Sequence, residues 1–254
     1  NFLQYIHSDA YTNGIFHRSV PGFVIQGGGF KIADGASGKS LAAVNTFAPI
    51  VNEFRISNTR GTVAMAKLGG NPNSATSQWF VNLADNSANL DNQNGGFTVF
   101  GRVIFDGMSV FDAIAKLPIR KLNLLGITSD VPLKDFDGIQ ATLGNLVEID
   151  HVAVTEVTGT FSESILSFPV DIGTGQTYTV NLRLMSDKPD YVFQLDPASV
   201  AALAVNPSNI ATFSSGNGQL HIPSVMIGPT ATVKNVLMQL TDPGSYTFTL
   251  TSYE

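Results

Sequence analysis

The stretch Phe16–Phe30 reads FHRSVPGFVIQGGGF, and its reading decides the fold of the first half of the chain. Val20 and the run Phe23-Val24-Ile25 are β-branched or aromatic and read as strand. Pro21-Gly22 between them is a turn signal, so the two runs form a strand-turn-strand unit. Gly27–Gly29 ends the second run, because glycine takes dihedrals that other residues adopt only at a cost. Among these apolar residues stand a cation, Arg18, an imidazole, His17, and an amide, Gln26. Polar groups held against an apolar strand surface are the ingredients of a pocket for a mostly apolar ligand. Taken alone, the stretch reads equally as an edge strand with a solvated arginine and a buried structural glutamine.

Two further stretches bear on that choice. Met65-Ala66 is followed by a Gly/Asn/Ser/Thr loop over Lys67–Thr76 and then by Ser77-Gln78-Trp79-Phe80-Val81. Leu90-Asp91 is followed by Gly95-Gly96-Phe97-Thr98-Val99-Phe100-Gly101-Arg102-Val103. In this order and at these distances, the three pieces resemble the cyclophilin family of peptidyl-prolyl isomerases, over Asn1 to about Val157. The resemblance implies a mainly β fold: a cyclophilin-like eight-stranded antiparallel barrel with two capping helices, as residues 1–158. In that family two strands precede the first helix, and this chain begins at Asn1-Phe2 inside that helix. Asn1 is not an initiator residue, so the first two barrel strands are expected upstream, in a processed or truncated part of the protein.

The resemblance also implies roles. Arg18 matches the family's catalytic arginine. Phe23 and Phe80 match the walls of a proline pocket, joined by Val24 and Leu90. Gln26 matches the glutamine that orients the arginine and contacts the substrate backbone. Ala66 and Lys67 match the substrate-facing rim, where the backbone makes the usual contact, and Gln78 lines the neighbouring groove. His17 matches a histidine behind the site, and its own reading is a satisfied structural imidazole. Asn89 stands where animal members carry a tryptophan, so tight binding of the immunosuppressive cyclic peptide is not expected. Phe97 stands where they carry a histidine, which keeps the pocket wall and removes a polar contact. Both departures point to a bacterial enzyme. The implied activity is cis-trans isomerisation of X–Pro bonds in peptides and in unfolded or partly folded clients. The implied alternatives are a non-catalytic module that holds proline-containing segments, or an exported structural or adhesive protein whose function lies in its second half.

Composition narrows the remaining classes. Of 254 residues, 43% are apolar and only 13% charged, and the net charge is −6. That charged fraction is about half the usual value for a soluble domain. Through Val157 there are 11 basic and 13 acidic residues, and 3 basic and 7 acidic after it, with no basic stripe in either half. Binding a phosphate backbone needs clustered Lys and Arg, so nucleic acid is not an expected partner. No run of eighteen apolar residues is present, so no membrane-spanning segment is expected. Without cysteine, disulfides and thiolate metal sites are excluded. His7, His151 and His221 are isolated, Asp135 and Asp137 are too few for calcium, and no metal or organic cofactor is expected. Low charge and the many Asn, Ser and Thr point to a periplasmic or secreted protein.

The rest of the chain is read by pattern. Asn1–Ser8 is a short helix and Asp106–Leu117 a longer one, with Met108, Phe111 and Ala115, joined by Val110, Ile114 and Leu117, as its apolar stripe and Pro118 as its stop. Gly61–Ala66, Gln78–Leu83, Thr98–Val103 and Leu146–Val157 read as strands. Lys31–Ser40, Asp85–Gly96 and Asp130–Asp137 read as loops. The first of these ends in Gly38-Lys39-Ser40, but Ala33 stands where a phosphate-binding loop needs glycine. From Gly159 helix signals vanish. Short runs follow at Ile165–Val170, Gln176–Leu184, Tyr191–Leu195, Ile210–Phe213, Gln219–Ile227, Val233–Leu240 and Ser245–Ser252, with turn residues between them. This pattern predicts a small β-sandwich over 159–254, after a short linker at Thr158–Ser162.

Overall fold

The computed structural model describes all residues except 36–37, 105–106, 123–126, 128, 155, 204–206 and 208. It divides into two compact units, Asn1–Val154 and Thr155–Glu254.

The first unit opens with helix α1 (Phe2–His7) and strand β1 (Gly14–Ile15). The quoted stretch then forms the hairpin β2 (Arg18–Val20) and β3 (Val24–Gly27), turning at Pro21-Gly22. There follow β4 (Phe30–Gly35), β5 (Gly38–Ala43), β6 (Thr62–Met65), β7 (Trp79–Asn82), helix α2 (Ser87–Leu90), β8 (Val99–Arg102), helix α3 (Gly107–Ala115), β9 (Ile119–Lys121), β10 (Asp130–Pro132) and β11 (Glu148–Ile149). Asp106, the expected start of the second helix, lies outside the described residues. Ile114 of that helix is buried, whereas Val110, expected in its apolar stripe, is 58% exposed.

The strands form a five-stranded sheet ordered β2-β3-β7-β6-β8, a four-stranded sheet ordered β11-β1-β4-β5, and the pair β9-β10. This corrects the expectation of a closed eight-stranded barrel. Closure requires the outermost strands to share a ladder, yet among the described residues β2 and β8 end one sheet and β11 and β5 end the other. Other local expectations also change. Lys31–Ser40 is a hairpin, with Ile32 opposite Leu41 and both buried. Its other described positions are polar or small and mostly exposed, which made a one-sided strand pair look like a loop. The expected loop at Asp130–Asp137 begins as β10, paired with β9. Of the strand expected over Leu146–Val157, the described residues form a ladder at Glu148–Ile149 and an isolated antiparallel bridge from Leu146 to Leu133.

Alternation gives the five-stranded sheet two different faces. Ile25, Trp79 and Val81 point to one side, into a core with Tyr5, Tyr11, Phe16 and Ile114. Val24, Ala64 and Phe80 point to the other, with Leu90. The first face holds the unit together, and the second carries the site.

The second unit contains β12 (Gly159–Ser162), β13 (Ile165–Asp171), β14 (Thr177–Ser186), β15 (Val192–Leu195), β16 (Ala201–Ala202), β17 (Ala211–Ser214), β18 (Gln219–Ile227), β19 (Ala231–Asp242) and β20 (Thr247–Ser252). The stretch expected as linker is therefore largely strand. The expected sandwich is also corrected: these strands close on themselves. β13 pairs antiparallel with β14 and, at its far end, parallel with β17. β17, β18, β19, β20, β15 and β14 follow in turn, which returns the ladder to β13 and makes a closed barrel. Sandwich and barrel both bury every second residue, as Leu166, Phe168 and Val170 do here, so alternation alone does not separate them. The two parallel pairings, β13 with β17 and β12 with β18, achieve the closure.

Candidate functional site

The site is built on one transverse row of the five-stranded sheet. Arg18 stands opposite Gln26, Gln26 opposite Phe80, Phe80 opposite Ala64, and Ala64 opposite Val99. Residues that share a row lie on one face, so the row runs from a cation through an amide to an aromatic ring. At about 4.8 Å per strand spacing, Arg18 and Phe80 are on the order of 10 Å apart at the backbone.

The polar end of the row is linked by hydrogen bonds. Arg18 Nη1 donates to Gln26 Oε1 at 3.4 Å, and Gln26 Nε2 donates to Gln78 Oε1 at 2.7 Å. The glycines after Gln26 allow this approach. Gly28 has φ +80°, and a Cβ there would lie 2.4 Å from the Ser77 carbonyl oxygen and 2.9 Å from Trp79 Cδ1. A Cβ on Gly29 would lie 3.0 Å from the Gln78 amide and 3.1 Å from His17 Cε1. His17 is buried, and its ring packs edge-on to Phe30 at 5.2 Å. Burial, reinforced by the Arg18 charge, pushes its pKa down to about 4 against opposing bonds from Gln78 and the Ile15 backbone. The imidazole is therefore neutral at pH 7.

The apolar end is a compact cluster. Val24, Ala64, Phe80 and Leu90 are buried, and Phe23, Ala66, Phe97 and Val99 pack against them while partly exposed. Phe80 and Phe97 meet edge to face, with centroids 5.7 Å apart and planes at 71°. The Lys67 ammonium lies 4.6 Å from the Phe97 centroid and donates to the Asn94 carbonyl at 2.9 Å. Burial lowers its pKa. The Lys67 side chain thus ties down the loop that delivers Phe97, a role beyond the backbone contact expected of this residue.

All eleven residues singled out in the sequence belong to this face or its support. Arg18, Gln26 and Gln78 are joined by hydrogen bonds, and Val24, Phe80 and Leu90 by packing, with Phe23, Ala66 and Phe97 beside them. His17 sits behind Gln78, and Lys67 sits over Phe97.

Sequence reasoning missed an asparagine ladder beneath the cluster. Asn58 is fully buried and donates through Nδ2 to Asp91 Oδ1 at 2.9 Å and to the Phe97 carbonyl at 3.0 Å. Its Oδ1 accepts from Asn82 Nδ2 at 3.2 Å. Asn82 Oδ1 accepts from Asn86 Nδ2 at 2.8 Å, and Asn86 Nδ2 also donates to the Phe23 carbonyl at 2.9 Å. Burial alone would raise the Asp91 pKa, but bonds from the Asn58 side chain and backbone and from Ser57 outweigh it and leave the carboxyl below its usual range. The ladder joins the backbone of Phe23 and of Phe97 and the neighbour of Leu90. The only signal in the sequence was Asp91, noted as half of Leu90-Asp91, because asparagines in loops are too common to single out.

Among the described residues, no three His, Cys, Asp or Glu side chains are grouped to hold a metal ion, and no helix is long and apolar enough to cross a membrane.

A cation and two amides linked by hydrogen bonds thus stand beside an aromatic cluster on one face of an antiparallel sheet. The family model for cyclophilin type peptidyl-prolyl cis-trans isomerase/CLD matches residues 1–141. The chain belongs to this family. It is similar to a peptidyl-prolyl cis-trans isomerase of Acinetobacter baylyi, 44% identical over 135 residues, which are 52% of this chain and 65% of that protein. It is also similar to peptidyl-prolyl cis-trans isomerase B of Escherichia coli, 41% identical over 141 residues, 53% of this chain and 79% of that protein. A third relative, peptidyl-prolyl cis-trans isomerase A of Dickeya dadantii, is 41% identical over 138 residues, 53% of this chain and 66% of that protein. The chain thus spans just under two thirds of the first and third of these.

Proposed function

We propose that the first unit catalyses cis-trans isomerisation of X–Pro peptide bonds, with Arg18 as its catalytic residue. The observation that carries this reading is the row itself, in which Arg18, bonded to Gln26 and through it to Gln78, shares a sheet face with the cluster of Phe23, Phe80, Leu90 and Phe97. Rotation about an X–Pro bond is slow because it breaks amide resonance, a barrier of about 20 kcal/mol. No covalent bond need form. The enzyme must bind the twisted amide better than either planar form. In the twisted state the proline nitrogen regains a lone pair. A guanidinium N–H aimed at that nitrogen donates a bond that the planar amide cannot accept. A 10⁵-fold acceleration needs about 7 kcal/mol. One charge-assisted hydrogen bond in a partly dry site supplies about half of that. The remainder comes from holding the proline ring in the aromatic pocket while Gln26 and the Ala66–Lys67 rim hold the chain on the other side of the bond.

The substrates in this reading are proline-containing segments of unfolded or partly folded proteins, and the compartment is the periplasm or the exterior, testable by cell fractionation. The activity test is the rate of cis-to-trans conversion of a short X–Pro peptide, followed without a coupling protease, for the full chain and for Arg18→Ala. Turnover that falls by two to three orders of magnitude in a folded variant supports the reading. Peptide binding without turnover by the unaltered chain would replace it with a binding module.

A further inference from the structure

The second unit has a built cavity that the isomerase reading does not use. At one end of its barrel is an apolar cavity of about 260 Å³. Its floor is core: Leu166, Phe193, Val225, Val236 and Met238 are all less than a tenth exposed. Its mouth is formed by Tyr191, Ile227 and Tyr253, which are 47%, 40% and 57% exposed. Among the described residues, no charged side chain lines it. A local switch in the barrel wall shapes this end. Ile222 pairs with Val236 and Ser224 with Lys234, which places Pro223 opposite Asn235, whose φ is +48°. Beyond this point Val225 and Val233 turn inward, so that both line the cavity.

The exposed apolar side chains of the unit are concentrated at the barrel ends. Seven large ones are described, and three of them form this mouth. Three more, Ile172, Val200 and Tyr246, lie at a second apolar cavity of about 300 Å³ at the opposite end, and only Met185 lies at neither. Scattered single apolar residues need no explanation, but convergence on a hollow does.

We propose that the cavity floored by Met238 and rimmed by Tyr191, Ile227 and Tyr253 binds an uncharged apolar small molecule, of aromatic-ring or short-acyl size. The chemistry of the lining selects against charge, because an ion here would lose its hydration with no partner to replace it. Size selects the class of ligand. Dry apolar cavities of about 150 Å³ already hold one benzene, and ligand pockets begin near 300 Å³. The closed ladder argues against a polypeptide strand as the occupant. The strands around this end, β18, β19, β20 and β15, are paired on both sides over most of their length, and only the short stretch Ala231–Val233 of β19 is laddered to β18 alone, too little edge for a peptide strand to join.

The test is titration of the full chain with the neutral probe N-phenyl-1-naphthylamine, followed by its fluorescence. The expected result is saturable binding that decanol displaces. Ile227→Glu should weaken binding at least tenfold, because it sets a carboxylate at the mouth. Since Ile227 is already 40% exposed, the variant should stay folded. Tyr253→Ser is a second mouth variant in case the first is unstable, and Met185→Ser is the control expected to bind as the unaltered chain does. The proposal is overturned by no saturable binding, by equal binding in a folded Ile227→Glu or Tyr253→Ser chain, or by displacement with an unfolded polypeptide but not with decanol.

Discussion

Replacing Asn58 by alanine tests whether the buried ladder holds the pocket in shape. Asn58 is fully buried, and its side chain makes three hydrogen bonds, to Asp91 Oδ1, to the Phe97 carbonyl and from Asn82 Nδ2. The substitution deletes all three. The bond to the carboxylate contributes roughly 1.5–3 kcal/mol and the two neutral bonds about 1 kcal/mol each. Two groups keep other partners, which limits the loss. Asp91 Oδ1 still accepts from the Asn58 backbone N–H at 2.9 Å, and Asn82 Nδ2 still reaches Thr62 Oγ1 at 2.9 Å. The expected cost is about 4 kcal/mol, in the range for a broken buried network. For a unit of about 150 residues this lowers the melting midpoint by roughly 8–16 °C. Differential scanning calorimetry of the full chain reads it. Asp91→Asn is the informative companion. Its amide oxygen still accepts both Asn58 bonds, so only the charge assistance is lost, about 1 kcal/mol. A folded Asn58→Ala chain melting within about 2 °C of the unaltered protein would refute the ladder as a support. A drop for Asp91→Asn as large as for Asn58→Ala would show that charge, not the shared asparagine, holds the two loops.

Other expectations follow from the same geometry. His17, with its pKa pushed down to about 4 by burial, is a base more easily protonated unfolded than folded. Its contribution is therefore fully present above the unfolded value near 6.5 and is lost as pH falls from there through about 4, roughly 3 kcal/mol in all. Melting at steps across pH 7 to 4 should show a shallower decline for His17→Gln than for the unaltered chain, and identical slopes would contradict this. Lys67→Met removes the bond to the Asn94 carbonyl beside Phe97, so the peptide KM should rise severalfold while kcat changes little. A fall in kcat with unchanged KM would place Lys67 in the chemistry instead. In the barrel, Met238→Ala empties a fully buried position and should cost about 2–5 kcal/mol, read as an earlier loss of the near-ultraviolet tyrosine signal on denaturant titration.

The grouping of the candidate residues on one sheet face was more legible in the sequence than the fold around them, and the reasons are physical. Arg18, Gln26 and Phe80 come from two stretches more than fifty residues apart, yet each sits on a short strand whose alternation fixes the face it occupies. Once β2, β3 and β7 pair, the row follows from register alone. Periodicity does not carry the information that decided the larger architecture. Ile165–Asp171 buries Leu166, Phe168 and Val170 whether its sheet packs on another or closes on itself. The choice of barrel lies in parallel ladders such as Val170 with Ala211, between segments forty residues apart with no shared local signal. Likewise the Ile32–Leu41 pair was hidden in a polar hairpin in which, among the described residues, only those two positions are buried. Asn58, Asn82 and Asn86 were invisible for a third reason: their importance lies in being buried, and asparagine carries no apolar pattern to announce burial. Each limit leaves the row intact, because the row depends only on neighbouring strands. The ladder beneath it depends on Asn58 reaching both Asp91 and Phe97, so the shape of the pocket is set by the part the sequence did not reveal.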